Sequence, residues 1–445
     1  MFARWKQKLL IVSLLLLVCT GAVAPSVGRS GPPGEQPQLE RRNGLNLAAG
    51  AFHETRDVTV ETMFRFKDSQ NNGNGPATSG SELHNAIYMM EIDANDPNIH
   101  LEVVTSGPSV ASKEIVTQTA AANDRAGHRV IGAVNGDFFN VANGVPLGLQ
   151  ITDGEVITST NGKTQTFLAI MPDGSFRIGK AVTIQPALRL TSGLRLDFNG
   201  VNKVRNKNLT NHAFLMTDRF GTSTLSEGTG GTEIVIAPVE PGVKLRPGQP
   251  VTGVVEQVYM AANNSIPTGK FVITASGSKA DWLKQHATVG TSLSFQVDYD
   301  QGISSALYVI GGANHRFADV LLDNGEIPVD VKDLLVADNL EHHPRTIVAS
   351  KGSKLYLIVV DGRQAGYSDG MSVLEAAAYL QSLGMEHAIN LDGGGSSTYA
   401  VRQPGDTELR VLNRPSDGEL RPVANALLVV SGEPENKADG VDNNR

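Results

Sequence analysis

The residues of this chain that can do chemistry gather in a few short stretches, the densest being HAINLDGGGSSTYAV at 387–401. Asp392 is followed there by Gly393, Gly394 and Gly395, then by Ser396 and Ser397. Successive glycines adopt positive φ at no steric cost, so their N–H groups can turn toward one point and make a nest for an anion, to which two hydroxyls add donors. The competing reading is a plain hairpin turn, although a hairpin needs only one or two glycines. The stretch is not a Walker loop, which requires Gly-Lys-Ser/Thr, nor a dinucleotide fingerprint, since it lacks the third glycine at the right offset. Of the anions, phosphate fits best.

Three further stretches supply charge. Asp361 and Arg363 lie in DGRQAGYSDG, and Asp361 with Asp392 would make a carboxylate pair of the kind glycoside-cleaving enzymes use. Asp-Gly is also a common turn, which explains either aspartate alone equally well. NGDFFN brings Asn135, an acid in Asp137, and Phe138 as a wall on which a sugar can stack, against the simpler reading of a turn with core phenylalanines. Arg345, just before an apolar run, is placed to clamp a phosphate or merely to face solvent. Glu375 is a carboxylate candidate that helix capping already explains. His342 and His343 make poor metal ligands, because adjacent residues point apart and no acidic residue has metal-motif spacing. No metal or cofactor is expected.

Positioning these groups falls to a β-rich chain. Runs such as AIYMMEID, RVIGAVN, GTEIVIAPV, TSLSFQVDY, KLYLIVVDG, HAINLDG and ANALLVV recur between Gly, Asn, Asp and Pro, which predicts sheet through most of the sequence. Helix signals are few: SKEIVTQTAAANDRAG at 112–127, DVKDLL, and SVLEAAAYLQSLG. The last has Ser372 and Glu375 in capping-box spacing, an apolar face of Leu374, Ala377, Ala378 and Leu380, and Gly384 as its stop. It separates the runs 355–360 and 388–391, so a parallel crossover is expected, with Asp361 and Asp392 on one rim about 4.8 Å apart from strand to strand. The fold class expected is α+β: one large, mixed, mostly β-sheet domain with a few helices, its site on a strand-helix-strand unit.

The chain has 445 residues, 40% hydrophobic and only 5% aromatic, with 47 Gly and 21 Pro. That is enough for a large core and suits turns and sheet better than a helical bundle. A net charge of -8 and a pI near 5.7 argue against a nucleic-acid partner. Arg4, Lys6 and Lys8 precede an apolar run from Leu9 to Val18, which is the layout of an export signal, read over 1–28 either as a cleaved signal peptide or as an uncleaved anchor. The sole cysteine, Cys19, falls inside it, so the exported part would hold no disulfide and would carry -11. Residues 29–50 read as a flexible linker and 51–432 as the domain, with a β-rich excursion at about 233–300. A polar loop at 68–81 interrupts a hairpin, and 433–445 is a tail without fold. The expected location is outside a bacterial cell, secreted or at the surface, with the membrane touched only through the anchor.

Taken in order, NGDFFN, HHPRTIVA, VVDGRQAGYSDGMSVLEAA and AINLDGGGSST resemble the phosphodiester glycosidase family over roughly residues 83–430. The resemblance implies hydrolysis of the bond between a sugar's anomeric carbon and the phosphate of a glycosyl-1-phosphodiester; with the export signal and the cysteine-free, acidic composition it reads as a bacterial, secreted member, and a phosphate-linked glycan of the cell wall or extracellular space is the expected substrate. Matching positions are Asn135, Asp137, Phe138, Arg345, Asp361, Arg363, Glu375, Asn390, Asp392 and the loop Gly393 to Ser397. It implies catalysis by Asp392, Asp361, Asp137 and Glu375, with the remaining residues binding substrate. The alternatives are a noncatalytic polysaccharide-binding protein of the cell surface, which would need the cradle but not the aspartates, and an exopolysaccharide biosynthesis factor that transfers the sugar to another acceptor.

Overall fold

The computed structural model describes residues 42–61, 82–159, 165–181, 183–228, 230–312, 320–332 and 341–432. The segment 1–28, most of the expected linker, the loop 68–81, the tail 433–445 and the second half of DVKDLL lie outside the described residues. Among those described, strands form four sheets, of seven, eight, five and five strands. Three helices join them: α1 (Val116–Asn123), α2 (Gly277–His286) and α3 (Val373–Ser382). The class is α+β and mostly β.

Two sheets carry the site. The seven-stranded one runs, in spatial order, Arg42–Ala48, Ala51–Glu61, Glu82–Asp93, Lys354–Val360, Arg345–Lys351, His387–Asn390 and Val320–Leu322. A five-stranded one runs Arg410–Val411, Tyr399–Val401, Arg129–Asn135, Asn425–Ser431 and Ile99–Thr105. Neighbours in both are antiparallel.

Side chains alternate across a strand, so a strand covered on both faces reads as an unbroken apolar run. Leu355, Leu357 and Val359 join one core with Ile131, Val134, Leu427 and Val429 of the five-stranded sheet. Tyr356, Ile358 and Val360 face the other way and cluster with Val373, Ala377 and Leu380 of α3. Each such buried aliphatic side chain stabilises the fold by roughly 2 kcal/mol. The capping box is present: Ser372 Oγ accepts from Glu375 N at 3.2 Å, and Glu375 Oε2 accepts from Ser372 N at 2.9 Å. Gly384, at φ 71°, ends the helix in the left-handed conformation that glycine tolerates best.

Two expectations are corrected, and one helix appears that the sequence does not announce. The strands Lys354–Val360 and His387–Asn390 do run the same way, but Arg345–Lys351 lies between them and pairs antiparallel with both. A local hairpin turning at Gly352 takes the adjacent position, so α3 crosses over a strand, and the ends carrying Asp361 and Asp392 stand two strand spacings apart, about 10 Å. The expected linker also contains a strand, since Arg42–Ala48 pairs with Ala51–Glu61; the Pro-rich composition that suggests a spacer ends at Pro37. Finally, α2 has no strong sequence signal, because only Ala280 and Leu283 of its ten residues are buried.

Candidate active site

The site forms where Arg129–Asn135 and His387–Asn390 end side by side. Asn135 is the junction. Buried to 1% exposure, it donates from Nδ2 to the Asp392 carbonyl at 2.7 Å, and its Oδ1 accepts from Thr346 Oγ1 at 2.7 Å and Thr398 N at 3.0 Å. The Asp392 amide returns a bond to the Gly136 carbonyl at 3.1 Å. These contacts set Asp392 against the chain that bears Asp137, and the Asp392 charge helps to raise the Asp137 pKa. The carboxylate whose charge acts on Asp137 is therefore Asp392, whereas Asp361 follows a strand two spacings away from the one that Asp392 follows.

Asp137 is 2% exposed. Its Oδ2 accepts from Gly148 N at 2.6 Å, while Oδ1 has no hydrogen-bond partner among the described residues. Burial drives its pKa well above the usual carboxylate range, against the opposing pull of Lys203 and of the Gly148 amide. Lys203 is itself buried, donating to the carbonyls of Pro146, Leu147 and Gly148 at 2.6, 3.0 and 3.2 Å, and burial brings its pKa down to about 7 despite the Asp137 charge. Nothing in the local sequence of Lys203 marks it; the fold brings it in from 66 residues away.

Asp392 is half-buried, and burial lifts its pKa to about 6, opposed by the Ser396 hydroxyl, Arg421, the Gly393 amide and Arg363. Its loop does not form the expected amide nest. The amides of Gly394, Ser396, Ser397 and Thr398 are taken by Pro344 O, Gly393 O, Gly394 O and Asn135 Oδ1. The glycines serve close approach instead. A Cβ on Gly393 would lie 2.5 Å from Pro344 O. Gly394, at φ 61°, has Arg363 Nη1 3.1 Å from where its Cβ would be, and a Cβ on Gly395 would collide with Asp417 Oδ2 and Arg421 Nη2 at 2.1 and 2.2 Å. Two guanidiniums thus press against consecutive glycines beside Asp392, and the cationic character comes from side chains rather than from backbone.

Both guanidiniums are held. Arg421 bonds Asp417 Oδ2 through Nε and Nη2 at 3.0 and 2.6 Å and approaches Ser396 Oγ at 3.4 Å through Nη1. Arg363 directs Nε and Nη2 at His343 Nδ1, 3.2 and 3.1 Å away, while His343 Nε2 meets Glu341 at 3.1 Å. Burial, then Arg345 and Arg363, drive the His343 pKa down to about 3, so the ring is neutral and its Nδ1 lone pair orients Arg363. His343 therefore positions an arginine, a role its neighbours in sequence do not reveal.

The other candidates have different roles. Asp361, 1% exposed, accepts from Asn413 Nδ2 (2.9 Å), Tyr367 Oη (3.0 Å) and Arg414 N (2.7 Å), so its oxygens are occupied. Asn413 also donates to Ser397 O at 3.0 Å, which makes Asp361 an anchor of the loop. Glu375 caps α3 and meets His342 Nε2 at 2.8 Å. Arg345 is buried and donates to the carbonyls of Met371 and Glu341 at 2.8 and 2.9 Å, bracing the approach to its strand. Phe138 is half-buried beside Asp137, Ser397 Oγ lies 3.4 Å from Thr346 Oγ1, and Asn390 is buried with Oδ1 unbonded among the described residues.

Comparison with known proteins points to one family. Residues 249–430 match the phosphodiester glycosidase family. The matched stretch carries Arg363, Asp392, the glycine loop and Arg421, and Asn135, Asp137 and Lys203 come to it from outside. No curated protein matches the sequence. Among solved structures, a hypothetical protein from Synechocystis aligns at 19% identity with a TM-score of 0.65, over 88% of this chain and 64% of that one. An exported-protein candidate from Burkholderia pseudomallei aligns at 16% and 0.67, over 90% and 98%. These two share the fold. The zebrafish N-acetylglucosamine-1-phosphodiester alpha-N-acetylglucosaminidase catalytic domain, auto-inhibited by its pro-peptide, aligns at 16% and 0.43, over 88% and 90%. No helix among the described residues is long and apolar enough to cross a membrane.

Proposed function

We propose that the chain hydrolyses a glycosyl-1-phosphodiester, releasing a free sugar and a phosphomonoester. One observation carries this reading: Arg363 and Arg421 contact the loop that holds Asp392, next to a second, enclosed carboxyl group in Asp137. Two cations beside an acid suit a substrate with a phosphate attached to the carbon under attack.

In this mechanism Arg363 and Arg421 hold the phosphate. The bond from the anomeric carbon to the bridging oxygen breaks with its electron pair passing to phosphate, and water forms the new bond to carbon. Asp392 stabilises positive charge at that carbon and takes a proton from the water. Asp137, kept protonated by burial, donates to the departing oxygen, and Lys203 then steadies its charge. A phosphomonoester has a second pKa near 6, so it leaves with modest proton help. The signal-like segment at 1–28 supports action outside the membrane on a phosphate-linked glycan.

Incubating the purified chain with a sugar 1-phosphodiester tests this. Reducing sugar and phosphomonoester should appear in equal amounts. Saturable binding without either product would instead support a binding module, and a sugar joined to a new acceptor would support a transferase.

A further inference from the structure

We propose that His100, Glu102 and His128 form a binding site for a divalent transition-metal ion of the zinc class, separate from the acidic and guanidinium centre. Every second residue of a strand points to the same face, so His100 and Glu102, both on Ile99–Thr105, project together. His128 stands just before Arg129–Asn135, which shares the neighbour Asn425–Ser431 with that strand. The three ligand atoms lie within 4.8 Å of one another. The site is at the far end of the strand from Asn135, about 20 Å along it at the rise of an extended chain.

Hydrogen bonding shows why a cation belongs there. His128 Nδ1 is 3.0 Å from the carbonyl of Asn123. A carbonyl only accepts, so Nδ1 carries the proton, and the other nitrogen, Nε2, is aimed at Glu102 Oε1 at 2.7 Å. His100 Nε2 approaches the same oxygen at 3.2 Å. Two imidazole nitrogens therefore converge on one carboxylate oxygen, and each lone pair needs a proton or a shared cation. A backbone carbonyl on the outer nitrogen is also the usual partner of a metal-binding histidine. Tetrahedral zinc with bonds of 2.0 to 2.2 Å holds its ligand atoms about 3.3 Å apart; the 3.2 Å between His100 Nε2 and Glu102 Oε1 matches that, and the 2.7 Å between His128 Nε2 and Glu102 Oε1 would open by about half an ångström on binding. Two nitrogens and one carboxylate favour zinc and its neighbours over magnesium or calcium. With its side chain 42% exposed, His100 leaves the ion a face open to water, so it would exchange rather than be locked into the core.

The probe is Zn²⁺ alone, added to the tag-free, chelator-treated chain. Calorimetry should give one saturable site per chain, and Tm should rise by about 3 °C or more when the ion is well above its Kd. His128→Ala and Glu102→Gln, each checked for folding by circular dichroism, should weaken binding at least about tenfold and lose the Tm rise. His342→Ala, which removes a different close histidine–carboxylate contact, should keep both. Co²⁺ should show visible absorption bands in the wild type that vanish in His128→Ala. Absence of saturable binding by the wild type up to about 100 µM, or equal affinity in folded His128→Ala, would overturn the site.

Discussion

The Asn135 side-chain amide donates to the Asp392 backbone carbonyl at 2.7 Å, joining residues 257 positions apart. With its bonds from Thr346 and Thr398, that contact fixes where the loop leaves the sheet. Asn135→Ala would leave buried polar groups unpaired, at a cost of about 2 to 4 kcal/mol in stability. Because Asn135 acts by placing Asp392, kcat should fall at least about tenfold while KM changes little. Denaturant unfolding and steady-state kinetics check both; a KM effect alone would mean that Asn135 touches substrate.

Asp392 titrates near pH 6, so kcat/KM should fall below about that pH as the carboxylate gains a proton. Stability should move the other way. A folded pKa above the usual aspartate value of about 3.8 means that the native state binds the proton more tightly, a stabilisation complete below about 3.8 and lost as pH rises through 6. Asp392→Asn should therefore be more stable than wild type at pH 7.5, by about 1 to 3 kcal/mol, with the gap closing toward pH 4. Urea melts at the two pH values would reveal it.

Lys203 opposes the upward shift of the Asp137 pKa. In Lys203→Met that opposition is gone, so Asp137 should hold its proton to higher pH and the alkaline limb of kcat/KM should move upward. Three carbonyls lose their donor at the same time, at a cost of about 2 to 4 kcal/mol. An unmoved alkaline limb in the folded variant would dismiss Asp137 as the proton donor.

Gly395 does not have positive φ, so alanine is tolerated by the backbone there, yet its Cβ would displace the Asp417–Arg421 pair. Those side chains are partly exposed and can shift, so Gly395→Ala should alter Tm by less than about 2 °C while raising KM at least about fivefold. Arg421→Ala should raise KM similarly. Normal KM values in both would leave the phosphate to Arg363 alone.

Local signals in the sequence survive into the fold where local chemistry decides: the Ser372–Glu375 cap, the stop at Gly384, and the apolar runs that become strands. The site was legible as a set of motifs but not as a pairing. Asp361 and Asp392 both follow strands, yet a hairpin strand inserts between them, and hydrogen bonds occupy the oxygens of Asp361. Lys203, Arg421 and Asn413 carry no motif, because what makes them matter is burial against partners far away in sequence. The triple glycine suggests an anion cradle built from amides, whereas in the fold its absent side chains make room for the arginines Arg363 and Arg421.

The most direct test is the rate of sugar release from a glycosyl-1-phosphodiester by wild type and by Asp392→Asn at pH 7.5, with the variant's folding verified. The account predicts a loss of at least about a hundredfold in kcat with phosphomonoester still bound. Turnover by a folded Asp392→Asn near the wild-type rate would contradict it.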